Sequence, residues 1–282
     1  MRENRHSATA QRVAERRAAH QLFDQPRVFE DPLALSIIGA EAAALLVSEP
    51  AKAQTHVSRA LRAFIAVRSR YAEDNLAEAV RRGVTQYVVL GAGLDTFAYR
   101  NPFAELRVFE VDHPATQSWK RARLEAAGIS IPEHLTFTPV DFERQTFEEG
   151  LKLAGFDFER PAFFSWLGVT PYLPREIVLA TFERISAMSP ENGVAFDYAI
   201  PRSSLGALEK MAFDAIASRV AAAGEPFISF FNTAELIEEL RRINFRHIET
   251  LDSEKINARY FKDRADGLRI GGGLARLMCA RG

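Results

Sequence analysis

Hydrophobic positions recur along this chain in two rhythms, and one short run sets the frame for the rest. Tyr87-Val88-Val89-Leu90 is apolar without polar alternation and leads directly into Gly91-Ala92-Gly93-Leu94-Asp95-Thr96. A run of that kind suits a parallel strand covered on both faces, and the two glycines give a turn whose backbone can approach a ligand closely. A helix-compatible segment follows the turn. Comparable runs at 107–112, 135–140, 162–168, 193–198, 245–251 and 274–280 predict six further strands. Helical spacing covers 7–23, 54–82, 114–127 and 203–222, Thr233 caps a helix through Arg242, and Pro32 opens a short helix ending near Gly39. The order predicts an α/β fold with helices between the first five strands and a terminal hairpin-like pair that supplies one antiparallel member to a mostly parallel sheet.

The helix over 54–82 places Val57, Leu61, Phe64, Tyr71, Ala72 and Ala79 on one side, with Arg59, Arg62, Arg70 and Glu73 on the other. Arg68 falls on the apolar stripe. An inward guanidinium needs an anion, so Arg68 serves an internal ion pair, snorkels to solvent, or meets a ligand carboxylate. The spacing leaves these readings open.

Composition narrows the class. The chain has 282 residues, 47% hydrophobic and 26% charged, with net charge −1 and a pI near 6.6. That balance gives no bulk attraction to nucleic acid, and Lys120-Arg121-Ala122-Arg123 reads as a solvated helix face. One cysteine, Cys279, excludes an intrachain disulfide. No apolar run follows the N-terminal arginines or approaches membrane-spanning length, which gives the expectation of a cytoplasmic protein with no membrane partner.

The chemistry concentrates at the carboxyl ends of the strands. A Gly-x-Gly turn is shared by nicotinamide, flavin and S-adenosylmethionine binders. Where a dinucleotide fingerprint has its third glycine, this chain has Thr96 after Asp95, and a carboxylate there repels a diphosphate. The loop thus favours a ligand without phosphates whose ammonium or ribose uses Asp95. Asp112 stands roughly 20 positions beyond the glycines, the spacing at which a carboxylate reaches a ribose; before His113-Pro114 it also suits a helix cap. Asp141-Phe142 can bracket an adenine, the acid accepting from its amino group and the ring stacking, or Asp141 can cap a helix.

These residues resemble the leucine carboxyl methyltransferase-like group of S-adenosylmethionine-dependent methyltransferases, which includes bacterial O-methyltransferases. The most specific part is 89–96 with Tyr99-Arg100, followed by Phe109-Glu110-Val111-Asp112-His113-Pro114. Arg16-Arg17-Ala18, Phe29-Glu30-Asp31-Pro32, Arg68 and Asn257-Ala258-Arg259-Tyr260-Phe261 extend it over nearly the whole chain. The resemblance implies a Rossmann-like seven-stranded methyltransferase sheet and S-adenosyl-L-methionine as cofactor, with no metal. It implies that Arg68 holds the cofactor carboxylate, that Gly91 with Ala92 and Gly93 contacts it from the loop, and that Asp112, with His113 beside it, takes the ribose. Asp141 and Phe142 form the adenine side. Many relatives have Glu-Gly-Leu-Leu-x-Tyr-Leu where this chain has Leu167-Gly168-Val169-Thr170-Pro171-Tyr172-Leu173. Leu167 replaces a cofactor-holding glutamate, so a polar contact there must come from backbone or elsewhere. Tyr172 keeps the place of a tyrosine that orients the acceptor.

The expected organisation is a single methyltransferase domain over 1–282, with a helical cover over 1–53 and a lid over 201–231, too long for a plain connection. Leu205, Leu208, Met211, Phe213, Ile216, Phe227, Phe230 and Phe231 supply its apolar surface; Gly224 and Pro226 suit a hinge. Leu208 and Ile216 also suit plain core. The expected activity is O-methylation of a small-molecule carboxylate or hydroxyl. His113 is the nearest base for a hydroxyl acceptor, although a helix-start role suits it better. A protein C-terminal carboxyl acceptor, a non-catalytic cofactor-binding protein and a nicotinamide-dependent reductase are the competing readings.

Overall fold

Seven strands arise where the apolar runs fall: β1 Gln86–Leu90, β2 Arg107–Asp112, β3 Leu135–Pro139, β4 Ala162–Trp166, β5 Gly193–Ala199, β6 His247–Leu251 and β7 Ala275–Arg281. A computed structural model describes residues 8–141, 144–222 and 226–282, and within them not the side chains of 208, 212, 216, 219, 220 and 222. The expectations for Phe142, Gly224 and the side chains of Leu208 and Ile216 therefore lie outside the described residues. The strands join in one sheet of order β3-β2-β1-β4-β5-β7-β6. β7 runs antiparallel to β5 and to β6, and the remaining pairings are parallel.

The sheet reverses its direction of growth between β1 and β4, whose register pairs Val88 with Phe164. In open α/β sheets ligands sit outside the carboxyl ends of the strands at such a switch point. β1, β4 and β5 are buried along their whole length. Their alternate residues feed two core layers. Val88, Leu90, Phe164 and Phe196 face one side with Phe182, while Tyr87, Val89, Phe163 and Ala195 face the other with Val67 and Tyr71.

The helices are α1 Ala8–Phe23, α2 Ala34–Ile37, α3 Ala40–Ser48, α4 Pro50–Ala53, α5 His56–Arg81, α6 Pro114–Ala126, α7 Phe147–Leu153, α8 Arg175–Met188, α9 Ala207–Ala222, α10 Thr233–Arg242 and α11 Ser253–Tyr260. Capping explains several starts. Thr146 and Glu149 form a capping box at α7, and Thr55 caps α5 through Ser58 N. α1 and α2 share a third apolar cluster with the glycine loop through Ala14, Ala18, Ile37 and Leu94.

Several expectations change. No α-helix follows the glycine loop; a single 3-10 turn, Phe97–Tyr99, occupies that place. The residue before a proline disfavours helical backbone, and Asn101-Pro102 stops the segment there. β6 and β7 are not a plain hairpin, since α11 stands between them. Asn232, rather than Thr233, caps α10 by accepting from Ala234 N and Glu235 N. On α5 the polar side is not all solvated: Arg62 is 1% exposed because Asp24 takes its Nε and Nη2 at 2.7 Å each, whereas Val57 is 47% exposed. Lys120 likewise leaves the solvated face and pairs with buried Glu110 at 2.6 Å.

Candidate active site

The loop after β1 is held by the neighbouring strand. Gly91 N and Ala92 N both donate to Val111 O, at 2.8 and 3.1 Å. Gly91 has φ +69°, and a side chain there would meet Val169 Cγ2 at 2.5 Å, so only glycine satisfies both backbone and space. Asp112 closes the arrangement from β2. Its Oδ2 accepts from Gly93 N at 2.6 Å and its Oδ1 from His113 N at 2.7 Å. Burial pushes the Asp112 carboxyl above its ordinary value, and the two backbone N–H groups partly oppose this. Thr116 adds a side-chain hydrogen bond, and a carboxylate with about four lone-pair sites keeps room to accept from a ribose hydroxyl.

His113 itself is the cap of α6: its Nδ1 accepts from Ala115 N at 3.2 Å. Asp95 Oδ1 accepts from Phe97 N at 2.8 Å and so fixes the 3-10 turn. Asp141 lies at the end of β3, partly buried, with Arg144 Nε at 3.5 Å. Leu167 packs beside the second core layer.

Arg68 lies on the buried side of α5, 7% exposed, and donates from Nη1 to Asp197 Oδ2 at 3.2 Å. Asp197 Oδ1 accepts from Gly168 N at 2.5 Å. Gly168 has φ +72°, and a Cβ on it would stand 2.7 Å from Arg68 Nη2. The missing side chain at 168 thus makes room for the guanidinium. The ion-pair reading of Arg68 holds in this structure, and its partner was missed in the sequence, where an acid inside the apolar run 193–198 was a readable signal.

Arg68, Gly168 and Asp197 open onto a cavity of about 450 Å³ that Tyr172 and Phe227 also line. α1 closes one side through Arg12, Val13 and Arg16, and α5 another through Leu61, Phe64 and Ile65. Tyr172 ends a 3-10 turn, Thr170–Tyr172, anchored by Thr170 Oγ1 donating to Asp197 O at 2.6 Å. Phe227 packs on Tyr172 with ring centroids 5.4 Å apart. Its segment is stitched in place, since Ile228 N and Ser229 N donate to Pro171 O at 2.7 and 3.1 Å. Phe231, by contrast, is core at 1% exposure, Leu205 is buried, and Met211 is exposed.

Arg17, next to Arg16 in the sequence, points away from the cavity. Its Nη2 donates to Leu94 O and its Nε to Asp31 Oδ2, both at 2.6 Å, and Thr96 Oγ1 donates to the same Asp31 oxygen at 2.7 Å. Burial would raise the Asp31 carboxyl, but the charges of Arg17 and Arg100 hold it below its ordinary value. Helix α1 is thereby bolted to the glycine loop. Among the described residues no cluster of His, Cys, Asp and Glu could hold a metal ion, and no helix is long and apolar enough to cross a membrane.

A sheet of this order, with a glycine loop leaving β1 and an acid closing β2, defines the Rossmann-like S-adenosylmethionine-dependent methyltransferases. The family model described as leucine carboxyl methyltransferase matches residues 10–186. YktD of Bacillus subtilis (strain 168), assigned as an S-adenosyl-L-methionine-dependent methyltransferase, is 34% identical over 291 residues, covering 95% of each chain. The chain belongs to the leucine carboxyl methyltransferase family. A Mycobacteroides abscessus protein with the same assignment is 35% identical over 183 residues, 64% of this chain and 60% of its own. Among solved structures, a Thermobifida fusca YX protein assigned as a methyltransferase superposes with TM-score 0.59 at 18% identity, covering 95% of this chain and 94% of its own. A DUF574 family protein of Streptomyces avermitilis gives TM-score 0.57 at 17% identity, covering 99% and 98%. Those two likenesses speak for the fold alone.

Proposed function

We propose that the protein transfers a methyl group from S-adenosylmethionine to an oxygen of a small acceptor bound in the 450 Å³ cavity. One observation carries the reading: Arg68, which by family resemblance holds the cofactor carboxylate, and Tyr172, which by resemblance orients the acceptor, line one cavity. The residues present suit the cofactor. Asp112 offers acceptors for a ribose diol, and Gly91, Ala92 and Gly93 expose backbone beside it. By its place in the loop Asp95 serves the ammonium or ribose, and by the resemblance Asp141 accepts from the adenine amino group. Arg68 holds a single long hydrogen bond to Asp197, so its guanidinium can turn to a ligand carboxylate without leaving its pocket. At Leu167 the chain has only backbone to offer.

When bound, S-adenosylmethionine would supply a methyl carbon already activated by the sulfonium; an ionised acceptor oxygen, carboxylate or phenolate, would bond to it as the carbon–sulfur bond breaks and the electron pair goes to sulfur, so no proton has to be removed in the step. The protein's part is positional, and oriented capture of two reactants is worth roughly 7–11 kcal/mol in favourable cases. Tyr172 fixes the acceptor oxygen, while Phe227 and α1 keep water out. His113 takes no proton, because its Nδ1 is committed to Ala115 N.

The test is methyl transfer from radiolabelled S-adenosylmethionine to a panel of small carboxylic acids and phenols, beside peptides with a free C-terminal leucine. Label in a small acceptor is expected. Label in the peptides alone would transfer the function to a protein carboxyl acceptor, with 226–231 opening to admit it. Tight S-adenosylhomocysteine binding with no label in any acceptor would leave a cofactor-binding protein.

A further inference from the structure

The cavity carries more positive charge than its own carboxylate balances. Arg68 is paired with Asp197, but Arg12 and Arg16, one turn apart on α1, line the same space. Neither makes an ion pair among the described residues: Arg16 Nη1 donates only to Arg12 O, at 3.4 Å. The acid next to it, Glu15, accepts from Gln11. Burial lowers the Arg16 pKa, and the charges of Arg12 and Arg68 add to that, with Glu15 and Tyr172 opposing. Arg12 is exposed, but Arg16 is partly buried, and a guanidinium partly removed from water near two like charges is costly unless an anion joins it. Leu61, Phe64, Ile65 and Phe227 supply apolar wall beside the hydroxyl-bearing Thr9, Tyr172 and Tyr198. Bound S-adenosylmethionine has one carboxylate against an ammonium and a sulfonium, so it adds to the positive surplus.

We propose that the acceptor is an amphiphilic anion whose acidic group is held by Arg12 and Arg16 while its apolar body lies along Leu61, Phe64 and Phe227. The proposal rests on reading this cavity as the acceptor site. A neutral acceptor would leave the partly buried Arg16 guanidinium without an anion, and a cationic one would be repelled. A bidentate guanidinium partner suits a carboxylate or another planar or tetrahedral oxyanion.

Octanoate, 1-octanol and octylamine share one apolar body and differ in head charge. Each is titrated by calorimetry into protein saturated with S-adenosylhomocysteine. Octanoate is expected to bind at least tenfold more tightly than octanol, with no binding of octylamine. Arg12→Gln/Arg16→Gln is expected to bring octanoate down to the octanol affinity while leaving octanol unchanged, and Arg16→Gln alone to give an intermediate value. Equal affinity for octanoate and octanol in the wild type overturns the proposal, as does a preference that survives the double substitution, or no binding of any of the three. A parallel titration separates the two layers of inference. If octanoate displaces S-adenosylhomocysteine instead of binding with it, the cavity is not the acceptor site. Additive binding that ignores the head group removes only the anionic acceptor.

Discussion

Arg68 meets two demands at once, balancing buried Asp197 and presenting a cation to the cavity. Arg68→Ala is expected to weaken S-adenosylhomocysteine binding by about 2–3 kcal/mol, the scale of a charged hydrogen bond, or roughly 30- to 150-fold by calorimetry. The same change strands Asp197, so the thermal midpoint should fall too. Arg68→Ala/Asp197→Asn, with neither charge left, should recover much of the stability and none of the affinity. Unchanged affinity in folded Arg68→Ala would reduce Arg68 to its ion pair. At Asp112 the geometry alters which experiment is clean. Because Asp112 also receives Gly93 N and His113 N, Asp112→Ala removes a loop support together with the ribose acceptor. The loss for S-adenosylhomocysteine should be comparable to that at Arg68. Methionine, which has no ribose, tells the two causes apart: an equal loss for both ligands would mean that the loop had collapsed.

At the scale of elements, the link between the N-terminal cover and α5 has a pH signature. His20 Nε2 accepts from Val28 N and Phe29 N, leaving Nδ1 to donate to Asp24, which also takes Arg62. Burial would raise the Asp24 carboxyl, but hydrogen bonds from Arg62 and His20 hold it at about 2, below its ordinary 3.8. A carboxyl depressed on folding gives stability that is complete above its unfolded pKa and is lost as pH falls through the folded one. Thermal stability should therefore decline as pH drops from about 4 towards about 2. Asp24→Asn should flatten part of that decline and lower the neutral-pH plateau by about 3–5 kcal/mol, because Arg62 stays buried without its counter-charge. An unchanged acid slope in the Asn variant would assign the decline to other carboxylates such as Asp31.

The same elements mark what the sequence could tell. Strands were legible because β1, β4 and β5 are covered on both faces and so read as unbroken apolar runs. Asp112 and the glycine loop were legible because their spacing is local to one strand-loop-strand unit. Arg62 falls on the polar side of α5 because periodicity sorts residues by polarity, whereas its burial depends on Asp24, 38 positions away. Asp197 was overlooked for the same reason, being 129 positions from Arg68. The helix anticipated after the loop failed on a local rule, the proline at 102.

Across the whole molecule, the cavity is assembled from distant parts of the chain: α1, α5, the turn at Tyr172 and the segment at Phe227. Filling it should tighten all of them together. Hydrogen exchange in the presence of S-adenosylhomocysteine is expected to slow at α1 and at the amides of Ile228 and Ser229, which donate to Pro171 O. Exchange that slows only around Gly91 and Asp112 would mean that the cover and the 226–231 wall are independent of the cofactor.

The bond from Arg17 to Leu94 O spans 77 residues. Chains elongate at about 5–20 residues per second, so on the ribosome α1 waits roughly 4–15 s for the carbonyl that will receive its guanidinium. During that wait Ala14 and Ala18, both fully buried in the finished fold, can meet Ile37 but not Leu94, so their cluster stays incomplete. A nascent-chain chaperone would find its opening there. Codon choice between positions 17 and 94 should then alter the yield of soluble protein while leaving the specific activity of the folded fraction untouched.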